Sequence, residues 1–188
     1  GKGDRRFVAI PVFPSRVFRH SYIWIHAQAG IERPEDLKDK KIGIADYSMT
    51  ALLFVRGLLQ HQYGVSPEDV QWFRRRAEHV AIEIPAGIRI DNIPKGETLD
   101  DLLEAGKLDA LAVTSPPRAF LRGSPLVRRL FPDSRAVEAA YYRETGIFPI
   151  MHMMVLRRAL YEQEPSLARR LTEGCEAAKK LAFEGYEE

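Results

Sequence analysis

The stretch KIGIADYSMTALLFVRGLLQHQYG, residues 41–64, decides the fold. Lys41 to Ala45 is a short apolar run that reads as a buried strand. Asp46-Tyr47-Ser48 then leads into a helix from about Met49 to Tyr63, which Gly64 ends by supplying a left-handed residue. Strand followed directly by helix is the unit of an α/β protein, and the pattern repeats outward on both sides. Before it, Ser21 to Ala27 reads as a strand, and Pro34-Glu35-Asp36-Leu37 as one helical turn with proline at its start and acids suited to the dipole. After it, Ser66-Pro67-Glu68-Asp69-Val70 repeats that turn. Ile88 to Ile93 reads as a strand, Thr98 caps a helix through Ala105 that Gly106 closes, and Ala110 to Val113 is another strand. Ser134 to Thr145 reads as a helix ended by Gly146, Ile150 to Leu156 as a strand, and Pro165 to Phe183 as an amphipathic helix with Leu167, Leu171, Ala178 and Leu181 on or near one face.

At 188 residues the chain can bury a substantial core, in one domain or two small lobes. A net charge of +2 gives no reason to expect nucleic acid or a membrane as partner. The densest basic run, Arg74-Arg75-Arg76, is followed by Glu78 and reads as a solvated surface segment. A single cysteine, Cys175, rules out an intramolecular disulfide and a cysteine-based zinc cluster, and its helical setting makes it a packing residue. No apolar stretch is long enough to span a bilayer. These residues hold no signal peptide, so a cytoplasmic location is the expectation, and Gly1-Lys2-Gly3-Asp4 reads like the interior of a longer protein. HExxH, the phosphate-binding loop and GxGxxG are absent, which removes support for metalloprotease, phosphate-loop nucleoside triphosphatase and dinucleotide-binding readings.

Chemistry concentrates in Phe13-Pro14-Ser15-Arg16-Val17-Phe18-Arg19-His20-Ser21. This loop follows the apolar run Phe7-Val8-Ala9-Ile10, read as a buried strand, and Pro11 and Pro14 break regular structure within it. Guanidinium groups at a strand end suit capture of a small carboxylate, so Arg16 and Arg19 are candidate substrate ligands. The alternative is a solvated basic loop, against which the interleaved Val17, Phe18 and Tyr22 argue.

The junction Ser48-Met49-Thr50 offers a second anion site, through free amides of the first helical turn and the Ser48 and Thr50 hydroxyls. Its alternative is a simple helix cap. Arg56 lies in a helix apolar nearly all round and should find an internal partner. Arg118 follows a strand and two prolines, where open α/β sheets bind ligands; a surface arginine is the alternative. His20, next to Arg19, is the first candidate for acid–base work. His152 is the second, although its apolar neighbours suggest a partly buried core histidine. His26, His61 and His79 read as structural or surface residues.

Two longer segments carry a resemblance. Residues Ile31 to Ile44 resemble the entry into the second lobe of a type II periplasmic binding protein fold, and Thr98 to Ala110 resemble the helix–turn–strand that leads back to its hinge. A narrower resemblance is to the 4,5-dihydroxyphthalate decarboxylase family. It rests on Ile10-Pro11-Val12-Phe13-Pro14-Ser15-Arg16 with Phe18 to Ser21, on Asp46 to Ala51 with Val55-Arg56-Gly57, on Arg128 to Asp133, and on Gly146 to His152. The resemblance implies two α/β lobes with a cleft at their hinge: residues 1–31 in lobe one and hinge, 32–118 as lobe two, and 119–188 returning to lobe one. It also implies that lobe one is incomplete, because the family has a further N-terminal segment.

The implied reaction is loss of one carboxylate from a dihydroxylated phthalate. Such a site must hold two carboxylates, polarise a phenol and deliver a proton to the ring carbon. Arginine meets the first need and histidine the last. The chemistry demands no cofactor and the sequence shows no metal-ligand cluster, a metal assembled from distant His and Asp or Glu being the open alternative. A non-catalytic binding protein for an aromatic or other small carboxylate is the competing class, and a related biosynthetic enzyme on the same fold is a third.

Overall fold

The structure, a computed structural model, describes residues 5–78 and 81–185. Gly1–Asp4 and His79, both named above, lie outside the described residues. In chain order the elements are β1 (Phe7–Ala9), β2 (Ser15–Arg16), β3 (Ile23–His26), β4 (Lys41–Ile44), α1 (Thr50–Tyr63), β5 (Gln71–Arg74), β6 (Arg89–Asn92), α2 (Leu99–Glu104), β7 (Ala110–Ala112), α3 (Arg118–Leu121), β8 (Val127–Arg129), α4 (Ser134–Thr145), β9 (Ile150–His152), β10 (Val155–Arg157), α5 (Arg158–Gln163) and α6 (Ser166–Glu184). They form two compact units, one of residues 18–147 and one of residues 1–17 with 148–188.

The larger unit is built on a six-stranded sheet in the order β6-β5-β4-β7-β3-β8. β4 runs parallel to β5 and β7, and β5 parallel to β6, whereas β3 is antiparallel to β7 and β8. The parallel strands Lys41–Ile44 and Ala110–Ala112 are apolar throughout their buried length, as sheets covered on both faces require. One face packs on α2: Trp24, Leu99, Leu102, Leu103, Leu108 and Leu111 make a core that Phe73 and Phe120 extend. The unit boundaries fall outside the 31/32 and 118/119 positions expected from sequence. The reason is hydrogen bonding: β3 and β8 add to the β7 edge of the same sheet, so residues on both sides of those positions share one set of ladders.

α1 runs as expected to Gly64, whose φ of 61° carries the left-handed cap and whose amide donates to Gln60 O. The Thr98 hydroxyl accepts from the Asp101 amide at the start of α2. Two proline-led turns, Pro34–Leu37 and Pro67–Asp69, are 3-10 turns with acidic residues at their starts.

The smaller unit differs more from expectation. The run Ile150 to Leu156 is not one strand. β9 pairs with β2 and β10 with β1, with Met153 and Met154 between them. Pro11 and Pro14 interrupt the partner chain, and a proline donates no ladder hydrogen bond, so continuous pairing is blocked there. β1 is largely exposed rather than buried; the buried residues are the following Ile10 and Val12, which pack on Leu156 with Leu171 and Cys175 of α6 alongside. Cys175 is thus a packing residue, as its helical setting suggested. The far end of α6 leaves Leu181 and Phe183 exposed. No helix among the described residues is long and apolar enough to cross a membrane.

Candidate functional site

The carboxyl ends of β4, β5 and β7 point the same way, because the three strands are parallel and adjacent. Chain leaving neighbouring parallel strands diverges and opens a crevice, the usual ligand position in such sheets. A cavity of about 380 Å³ lies here. Ala45, Arg75 and Val113 to Pro116 line it from the strand ends. Thr98, Leu99 and Asp100 line it from the start of α2, and Arg118 from α3. Arg118 is tied down: Nε lies 3.3 Å from Asp100 Oδ2 and Nη2 3.3 Å from Asp101 Oδ1. Its backbone amide also donates to Asp100 Oδ2 at 3.1 Å.

The β4–α1 turn is densely satisfied from within. The amides of Tyr47 and Ser48 donate to the two Glu78 oxygens at 3.0 and 2.6 Å. The Ser48 hydroxyl donates to Asp46 Oδ1 at 3.2 Å. Asp46 is fully buried, and Arg76 donates to its Oδ2 through Nε at 2.9 Å and Nη2 at 2.8 Å. Arg74 reaches Glu78 at 3.2 Å. Burial works to raise the Glu78 carboxyl, but the Tyr47 and Ser48 amides, the Ser48 side chain and Arg74 together hold it below its ordinary value. The donors that sequence reading reserved for a ligand at Ser48 are therefore spent on an internal carboxylate. Ser48 does not cap α1, which has Met49 at its N-cap and no side-chain cap. Met49 is half-buried and Thr50 exposed. Arg56 finds the internal partner expected of it, donating to Tyr47 O at 2.7 Å with its guanidinium 3.7 Å from the Tyr47 ring.

Arg19 and His20 stand just before β3, at the sheet edge where β7 ends, since Ile23 pairs with Ala112 and the Val113 amide donates to Tyr22 O. Both are buried. Arg19 lies 5.0 Å over the Tyr22 ring, and burial lowers its affinity for a proton. His20 is enclosed by Phe131 and Tyr141, each with ring centroid 5.2 Å away. Its Nε2 lies 3.5 Å from Gln62 Oε1, and its Nδ1 has no partner among the described residues. Burial holds the imidazole below its ordinary pKa, against opposing effects of Gln62 and Glu138.

Arg16 and His152 belong to the smaller unit. Arg16 is exposed, donating to Phe148 O at 3.2 Å and lying 4.6 Å over the Phe148 ring. His152 is exposed on β9, opposite Ser15. The partly buried core histidine expected at 152 is thus not found, because a two-strand ribbon leaves alternate side chains of β9 to solvent. Of the remaining histidines, His26 is buried and accepts from the Gln28 amide, and His61 is exposed.

Sequence reading missed Arg75, Glu78 and the strand that positions them. Gln71–Arg74 pairs in register with Lys41–Ile44, and the ladder continues as the Arg75 and Arg76 amides donate to Ile44 O and Ala45 O. The signal was available in the apolar pair Trp72-Phe73 directly after a proline-led turn. Among the described residues, no group of three or more His, Cys, Asp or Glu side chains is placed to hold a metal ion.

No protein-family model matches the chain. Its fold is that of the type II periplasmic-binding-protein-like class. The chain superposes on the periplasmic aliphatic sulphonate-binding protein SsuA of Escherichia coli with a TM-score of 0.57 at 18% identity, over 98% of this chain and 52% of that one. By sequence, the chain is similar to curated 4,5-dihydroxyphthalate decarboxylases. It is 39% identical over 187 residues to the 4,5-dihydroxyphthalate decarboxylase of Comamonas testosteroni, covering 96% of this chain, and 38% identical over 147 residues to that of Pseudomonas putida, covering 75%. The chain spans 57% of the length of each of these relatives.

Proposed function

We propose that this chain serves the non-oxidative decarboxylation of a dihydroxylated aromatic dicarboxylate, 4,5-dihydroxyphthalate, to protocatechuate. The observation that carries the reading is the 39% identity to a curated decarboxylase along nearly the whole chain. In the reaction, the bond from the ring to one carboxylate breaks, its electron pair stays on the ring carbon, carbon dioxide leaves and a proton takes its place. The hydroxyl para to the departing group feeds electrons into that carbon.

The strand-end cavity supports the reading. Ala45, Leu99, Val113 and Pro116 give it apolar wall against which a ring can lie, and Arg118 stands at its margin. His20, at the same edge of the sheet, is the proposed proton donor, and Arg19 beside it adds positive charge. Burial favours the neutral imidazole in the empty site, and a bound dicarboxylate favours its protonation. Within the smaller unit, Arg16 is proposed as a carboxylate ligand and His152 as the second candidate for proton transfer. Ser48, whose amide and hydroxyl are already engaged by Glu78 and Asp46, and Met49 and Thr50 beside it are proposed ligand contacts of the β4–α1 turn.

The competing reading is a non-catalytic carboxylate-binding protein, favoured by the fold likeness to SsuA, a binding protein. Incubating the protein with 4,5-dihydroxyphthalate and measuring carbon dioxide and protocatechuate separates the two. Stoichiometric release supports the decarboxylase; saturable binding with no release supports the binder.

A further inference from the structure

We propose that Arg75 is the carboxylate anchor of the strand-end cavity, a role that rests on the aromatic dicarboxylate reading above. Successive side chains of a strand point to opposite faces, so three consecutive arginines cannot share one environment. Trp72 meets the Tyr47 ring on one face, with centroids 6.0 Å apart. Arg74 and Arg76 follow it on that face and are consumed there by Glu78 and Asp46. Phe73 lies on the other face, against the α2 core. Arg75 follows Phe73 and enters the cavity beside Leu99.

Charge accounting singles out the same residue. Arg118 is the other guanidinium lining the cavity, and it already faces two carboxylates, Asp100 and Asp101. Arg75 has no side-chain hydrogen bond or ion pair among the described residues. It is exposed, yet its backbone is pinned by the hydrogen bond from its amide to Ile44 O at 3.0 Å. A fixed main chain carrying an uncommitted planar fork is what bidentate capture of a carboxylate needs. Thr114 and Ser115, at the β7 end of the cavity, likewise have no side-chain partner among the described residues, and their hydroxyls suit the ring hydroxyls of the same ligand.

The test uses phthalate, which carries both carboxylates and no ring hydroxyl, with the wild-type chain, Arg75→Gln and Arg75→Lys. Titration calorimetry is expected to show wild type binding phthalate, Arg75→Gln at least about 10-fold weaker, and Arg75→Lys between them, because charge survives and the fork does not. Thermal melting should be unchanged in both variants, since the side chain holds nothing else. With 4,5-dihydroxyphthalate, the loss should appear in KM. Phthalate affinity of Arg75→Gln within about twofold of wild type, or no phthalate binding by wild type at millimolar concentration, overturns the assignment. Failure here is distinct from failure of the reaction. A wild type that binds phthalate through Arg75 but releases no carbon dioxide sinks the decarboxylase and keeps the anchor; a wild type that turns over with KM unchanged in Arg75→Gln does the reverse.

Discussion

Arg74, Arg75 and Arg76 are adjacent in sequence, and each has a different environment. Arg76 neutralises the fully buried Asp46. Arg76→Ala should strand that carboxylate with only the Ser48 hydroxyl, costing about 1–3 kcal/mol in urea unfolding, the range for a buried group left short of partners. The double variant with Asp46→Asn should lose less than the sum of the two single changes, because the uncompensated charge is gone. His20 makes a prediction about pH. Its pKa is depressed in the folded chain, so below the ordinary imidazole value the unfolded chain takes up a proton that the folded chain resists. Stability carried by the neutral ring is therefore intact above that value and lost as pH falls towards the folded pKa. Between about pH 7 and pH 5, the melting temperature of wild type should drop more than that of His20→Gln. Equal drops would remove His20 as the source. If His20 also donates the proton, His20→Asn should lower turnover roughly 100-fold with the fold kept. The exposed His152 leads to the opposite expectation for stability: His152→Asn should melt like wild type. At this scale, the sequence showed which residue types carry chemistry, and it correctly sent Arg56 to an internal partner. It did not show burial, which falls on His20 and not on His152, because burial depends on strands far away in the chain.

Elements were the most legible level where local chemistry sets them. α1 between Met49 and Gly64, the Thr98 cap and α4 up to Gly146 all follow from caps and left-handed glycines that act within a few residues. Strands were less legible. β5 was hidden by its charged end, and the break between β9 and β10 is imposed by prolines some 140 residues earlier, on the partner chain. Gly43 in β4 shows how closely these elements approach. A Cβ there would stand 2.5 Å from Leu111 Cδ2 and 2.8 Å from both Leu108 Cδ1 and Leu99 Cδ2. Gly43→Ala must displace the Leu99, Leu108 and Leu111 side chains, and we expect it to destabilise by about 1–3 kcal/mol in urea unfolding. Because Leu99 also lines the cavity, the same substitution should weaken ligand binding. Unchanged stability in Gly43→Ala would mean that the α2 layer packs more loosely than described.

For the whole molecule, alternation of strand and helix pointed to an α/β fold, and the quoted segments pointed to both the fold class and the decarboxylases to which the chain is similar. The division into units was less visible, because sheet membership of β3 and β8 is decided by long-range pairing that no local pattern announces. The proposed decarboxylation requires that a carboxylate leave the ring and a proton take its place. The most direct measurement is incubation of the protein with 4,5-dihydroxyphthalate in deuterium oxide, followed by proton NMR of the product and assay of released carbon dioxide. Decarboxylation predicts one carbon dioxide per protocatechuate formed, with a single deuterium on the ring carbon that lost the carboxylate. Saturable binding of the compound with every carboxylate retained would contradict it.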